Sequence, residues 1–196
     1  MRKSSKSIWR HSVRNENKDR SLGAIEGSPF SVKILSMLFL DKPCYVRMRN
    51  SEILPGQLLL GPMPRTYPGG GVTHILSCMA NSSTEKLVKG SSIIVHTMPM
   101  LDIEDYAISQ FFPEACAFIE SAIQSGGVIL VHCMVGVSRS ATIVAAYLMW
   151  KNKISSFDAV LFIRKIRNCV RPNQGFLQQL VLWEEQCRTF APVVSS

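Results

Sequence analysis

The chain predicts an α/β domain with a central, mostly parallel mixed sheet flanked by helices. Three observations point there. Short β-branched apolar runs alternate with stretches of helical periodicity, the wholly apolar run Val128-Ile129-Leu130-Val131 suits a central parallel strand, and Gly and Pro punctuate the joins. A length of 196 residues accommodates one such domain plus a tail. Apolar content of 46% against 18% charged residues suits a packed interior. No uninterrupted apolar run approaches the roughly 20 residues that span a bilayer, so no membrane span and a soluble protein are expected.

Residues 1–20 carry seven basic side chains against Glu16 and Asp19, which accounts for most of the net charge of +8. Without hydrophobic periodicity, this stretch reads as a solvated, unstructured basic tail over 1–28 that could dock an acidic partner. The domain is expected over 29–190, followed by a flexible C-terminus at 191–196. Residues 30–40 (FSVKILSMLFL) are apolar but too short to tell helix from strand.

Residues 53–60 read as a strand pair broken at Pro55-Gly56, followed by the loop GPMPRTYPGGG at 61–71. THILSC (73–78) and SIIVHTM (92–98) have the composition of buried strands, with a polar stretch at 80–91 between them. Residues 109–124 place Phe111, Ala115, Phe118, Ile119 and Ala122 at helical spacing. Pro113 fits there only in the first turn, and Gly126-Gly127 stops the helix. Further helices are expected over 139–152, 155–168 and 174–188.

Six cysteines (Cys44, Cys78, Cys116, Cys133, Cys169, Cys187) form no CxxC pair, so neither a zinc site nor a disulfide framework is indicated. The first 20 residues lack the apolar core of a signal peptide. A reducing, intracellular setting is expected, in the cytoplasm or nucleus.

The candidate site is the segment His132-Cys133-Met134-Val135-Gly136-Val137-Ser138-Arg139. A strand delivering Cys133 into a tight loop, with a helix starting near Ser138, forms a nest of backbone N–H groups backed by a positive helix end. A phosphate dianion fits such a nest. The same donors, together with Arg139, favour a thiolate at Cys133, expected to ionise below the free-thiol value of about 8.5. Arg139 can hold two phosphate oxygens with its planar fork. Taken singly, a Cys after a strand is usually a small buried hydrophobe, and an Arg at a helix start a surface charge. Chance alone would produce H-C-x5-R on the order of once in a hundred such chains, which favours the catalytic reading.

HCMVGVSRSAT, followed by IVAAYLM and RPNQGFLQQL, resembles the dual-specificity protein phosphatases of the cysteine-dependent protein tyrosine phosphatase superfamily. The similarity covers roughly residues 50–188, with its specificity concentrated in 98–182. The resemblance implies the cysteine-phosphatase fold. It also implies two-step hydrolysis of phosphotyrosine, phosphoserine and phosphothreonine in proteins through a phosphocysteine at Cys133, with no metal and no cofactor. Residues Met134, Val135, Gly136, Val137, Ser138 and Arg139 would bind phosphate. Aligning YAISQFF with the family pattern makes Asp102 the general acid among Asp102, Glu104 and Asp105, with Asp105 as the alternative or a helix cap. Ser140 matches a hydroxyl that assists the Cys sulfur. His132 and Asn173 match residues that support the loop.

Apolar Met134, Val135 and Val137 lack the lysines that inositol-lipid relatives carry here, so a phosphoprotein substrate is expected by subtraction. The RTYPGGG stretch replaces a helix that many relatives have before the THILSC strand. Cys78 resembles in position a resolving cysteine of the inositol-lipid phosphatases, although burial as a structural thiol is the commoner fate. A non-catalytic phosphoprotein-binding module and a lipid or RNA phosphatase remain the competing classes. Oligomeric state is not legible.

Overall fold

In a computed structural model, residues 49–189 are described apart from 67, 70, 81 and 82. The expectations for the basic tail, for residues 30–40 and for residues 191–196 lie outside the described residues.

Five strands form one sheet: β1 (Ser51–Leu54), β2 (Leu58–Pro62), β3 (His74–Ser77), β4 (Ile94–Thr97) and β5 (Ile129–Cys133), in the order β1-β2-β5-β3-β4. β1 and β2 are the hairpin expected around Pro55-Gly56. They pair antiparallel, and Gly56 takes the positive φ (66°) that the turn needs. All other pairings are parallel. The apolar run at 128–131 occupies the centre of the sheet, as predicted, because both faces of β5 are buried.

Side chains alternate across the sheet. Leu76, Ile129 and Val131 join the main core, whereas Ile75 and Leu130 point to a smaller cluster with Val72 and Val88 on the opposite face. Helix α1 (Thr84–Leu87), a single turn within the polar stretch, accompanies that smaller cluster. The larger face is covered by α2 (Phe112–Gln124), α3 (Arg139–Asn152), α4 (Ser156–Ile166) and α5 (Gln174–Thr189). Pro113 sits in the first turn of α2, behind a 3-10 turn at Ile108–Phe111. Gly126 ends that segment at φ 77°. Every residue of α3 from Ser140 to Met149 is buried, which suits the apolar run at 143–149, while the buried Ser140 and Thr142 hydroxyls donate to Cys133 Sγ and the Ser138 carbonyl. Between β2 and β3 no helix occurs among the described residues, in line with the trimmed edge expected at RTYPGGG.

Candidate active site

β5 ends at Cys133, and α3 begins at Arg139, so Met134 to Ser138 form the connecting loop at the carboxyl end of the central strand. The loop closes tightly because Gly136 has φ 69° and packs on β2. A Cβ there would lie 2.4 Å from the Gly61 carbonyl. Cys133 is fully buried at the floor of the loop. Its Sγ accepts hydrogen bonds from the Gly136 N–H (3.3 Å) and the Ser140 hydroxyl (3.2 Å). Two donors, one from the loop and one from the first turn of α3, thus converge on one sulfur.

Ser138 occupies the N-cap position of α3 yet makes no capping bond. Its hydroxyl instead donates to Asp102 Oδ1 (2.7 Å). The first N–H groups of α3 therefore keep their donors turned to the loop, where an anion can take them.

Asp102 is the carboxylate that the fold brings to this loop. Its Oδ1 also accepts from Asn173 Nδ2 (3.1 Å), and its Oδ2 lies 3.5 Å from Arg139 Nε. That last pair is an ion pair without a formed hydrogen bond, since Nε has no hydrogen-bond partner. Arg139 is otherwise oriented by the carbonyls of Met100 (3.1 Å) and Cys78 (3.5 Å), both accepting from Nη1. Asp105 stays exposed in the turn before the 3-10 segment, and neither that segment nor α2 has a side-chain cap. Glu104 is also exposed, with its backbone pressed against Gly175, where a Cβ would lie within 2 Å of the Glu104 carbonyl oxygen.

His132 lies in the strand that leads into the loop, and Asn173 lies beside Asp102. The buried His132 ring lies between the Cys133 carbonyl at Nδ1 (3.4 Å) and Thr84 Oγ1 at Nε2 (3.0 Å). Because a carbonyl only accepts, Nδ1 carries the proton and Nε2 accepts from the threonine. Burial lowers the His132 pKa from 6.5 to about 4, opposed by the bond to Cys133, so the ring is neutral. Asn173 Oδ1 caps α5 through the Phe176 N–H (2.9 Å), and the same side chain reaches Asp102. Met134 and Val135 are exposed at the mouth, and Val137 is half-buried.

Two supporting residues were not anticipated. Thr84 lies in the polar stretch at 80–91, where nothing in the sequence marks it. Arg167, fully buried, donates from Nε to the Gly136 carbonyl (2.8 Å) and from Nη2 to the Val135 carbonyl (3.0 Å), clamping the loop from behind. A signal for it existed: Arg167 continues the buried stripe Ser156, Ala159, Val160 and Ile163 at helical spacing, and a charge on that stripe needs partners.

Cys78 is fully buried. Its thiol is pushed well above the usual thiol range, first by burial and then by the neighbouring Cys133, with Arg139 opposing. All five cysteines among the described residues are free. No cluster of three or more His, Cys, Asp or Glu side chains that could hold a metal occurs among those residues.

Residues 66–186 match the family model for the dual specificity phosphatase catalytic domain. The chain belongs to this family. It is 34% identical over 149 residues to serine/threonine/tyrosine-interacting protein A of Xenopus laevis, covering 71% of this chain and 66% of that one. Dual specificity protein phosphatase 7 of Homo sapiens is 34% identical over 174 residues, covering 85% of this chain and 38% of its own length. Among solved structures, the human tyrosine phosphatase-like serine/threonine/tyrosine-interacting protein superposes with a TM-score of 0.63 at 32% identity, covering 71% of this chain and 98% of that one. The chain thus spans just under two thirds of the length of the curated relatives it first matches. No helix among the described residues is long and apolar enough to cross a membrane.

Proposed function

We propose that this dual-specificity phosphatase domain hydrolyses phosphate monoesters on phosphotyrosine, phosphoserine and phosphothreonine of proteins, in two steps through a phosphocysteine at Cys133. The observation that carries this is the convergence of Gly136 N–H and the Ser140 hydroxyl on Cys133 Sγ, with Arg139 and Asp102 paired at the same loop. The phosphoryl group sits on the loop N–H groups and the Arg139 fork. Cys133 Sγ attacks phosphorus as the P–O bond to the side chain breaks, and Asp102 gives the departing oxygen its proton. Water then attacks the phosphocysteine, Asp102 takes up its proton, and inorganic phosphate leaves. Ser140 donates to the sulfur as it regains its charge.

Four of the six exposed large apolar side chains among the described residues, Leu101, Ile103, Met134 and Val135, flank Asp102 and Cys133 in the chain. An apolar rim of this kind suits a peptide segment better than a heavily phosphorylated sugar or nucleotide. Dependence on a free thiol favours a reducing, intracellular setting.

The relatives named as interacting proteins favour a second reading, a module that binds phosphorylated segments without turnover. Presence of both Cys133 and Arg139 supports catalysis instead. Phosphate release from phosphotyrosine and phosphothreonine peptides, lost in Cys133→Ser with peptide binding retained, is the expected result. Binding without release by the wild-type chain would establish the module. A faster reaction with phosphoinositides or triphosphate RNA would move the substrate class.

A further inference from the structure

The stretch that carries Asp102, residues 99–109, has little apolar hold of its own. Leu101 and Ile103, on either side of Asp102, are exposed, and apart from a turn between Ile103 and Tyr106 the stretch has no regular structure before the 3-10 segment. It lies instead against the start of α5. We infer that Gly175 and Gln179 are positioning residues for the general acid, forming a bearing surface on α5 that holds the Asp102 stretch at the Cys133 loop. This deepens the phosphatase reading given above and rests on it.

Three observations support the assignment. First, the contacts between the two segments advance in step. Asp102 Oδ1 accepts from Asn173 Nδ2 (3.1 Å), and the Glu104 main chain meets Gly175. Next in line, the Tyr106 carbonyl accepts from Gln179 Nε2 (2.9 Å), while Gln179 Oε1 accepts from the Ser109 N–H (2.9 Å). Gly175 and Gln179, four apart on α5, share one helix face. Second, the approach at Gly175 leaves no room for a side chain. A Cβ would lie 1.9 Å from the Glu104 carbonyl oxygen and 2.6 Å from its carbon. Both are main-chain atoms, so any larger residue must drive the stretch back by about 1 Å. Third, the stretch is tied to itself. The Tyr106 hydroxyl donates to the Pro99 carbonyl, and the Tyr106 ring stacks on Phe111. A push at Glu104 is therefore passed to Asp102, two residues away.

Misplacement by about 1 Å can cost about 10²-fold in rate, and a general acid contributes about 10²–10⁴-fold in all. Both residues act through Asp102, so their loss should be felt only where the leaving oxygen needs a proton.

The test compares kcat/KM for phenyl phosphate, whose leaving oxygen needs a proton, with kcat/KM for p-nitrophenyl phosphate, whose leaving group departs without one. The ratio of the two is expected to fall about tenfold in Gly175→Ala and about threefold in Gln179→Leu. Gln178→Ala, an exposed neighbour on α5, should keep the wild-type ratio. In an Asp102→Ala background neither substitution should lower the ratio further, because no acid remains to be placed. Should Gly175→Ala fail to fold, Gln179→Leu, which adds no bulk, is decisive by the same ratio. Equal falls for both substrates, an unchanged ratio, or a further fall on top of Asp102→Ala overturns the inference. Failure of the wild type to hydrolyse either phosphate would instead count against the phosphatase reading itself, and a wild-type ratio in Asp102→Ala against the choice of acid.

Discussion

Replacing Arg167 by methionine should damage both stability and turnover, and the two losses can be estimated separately. The guanidinium is fully buried and donates to three main-chain carbonyls: Gly136 at 2.8 Å, Arg49 at 2.7 Å and Val135 at 3.0 Å. Methionine keeps much of the volume of the stem but leaves those acceptors facing a thioether. Bonds from a charged donor contribute about 1.5–3 kcal/mol each, and removing the buried charge recovers part of its desolvation penalty, so a net loss of about 3–5 kcal/mol is expected. Against a total stability of about 5–15 kcal/mol, the variant should still fold. Two of the three carbonyls belong to the loop around Cys133, and a shift of about 1 Å there would lower kcat by about 10²-fold. Urea denaturation gives the first number, and p-nitrophenyl phosphate turnover at a temperature where the variant is folded gives the second. Arg167→Lys, able to keep one bond but not the fork, should fall between. A loss below about 1 kcal/mol, or full kcat in a clearly destabilised variant, would refute the clamp.

Asp102→Ala should lower turnover by about 10²-fold or more, with the least effect on aryl phosphates whose leaving groups need no proton. If Asp105→Ala gives that leaving-group pattern and Asp102→Ala does not, the acid has been misassigned. His132 links stability to pH: its folded value of about 4 lies below the usual 6.5, so between those values the unfolded chain binds a proton that the folded chain does not. Its stabilising contribution is complete above about pH 6.5 and declines by about 3 kcal/mol as the pH falls to 4. In His132→Gln that segment of the urea-midpoint profile should flatten, and parallel profiles for variant and wild type would rule the linkage out.

Most of the sheet and helices followed from local pattern. The run at 128–131 is wholly apolar and lies at the centre of the sheet, α3 carries the apolar run 143–149 and is buried there, and Pro113 is tolerated because it falls in a first turn. Helix α1 was missed because one turn of TEKL within a polar stretch carries no periodic signal. Asp102 could be preferred over Glu104 and Asp105 by resemblance alone. The structure supplies the contacts that separate them: Ser138 and Asn173 hold Asp102 at the loop while Asp105 stays in solvent.

By itself the sequence marked the candidate reactive loop, because a strand, a glycine-containing loop and a helix start are contiguous in the chain, whereas the carboxylate beside it, Asp102, comes from a separate segment. Tertiary structure decided what surrounds that loop. The donation of Ser138 to Asp102, the clamp from Arg167 and the contact of Thr84 with His132 all join residues far apart along the chain. Such contacts leave no periodic trace in the sequence, since they arise where separately formed elements pack together.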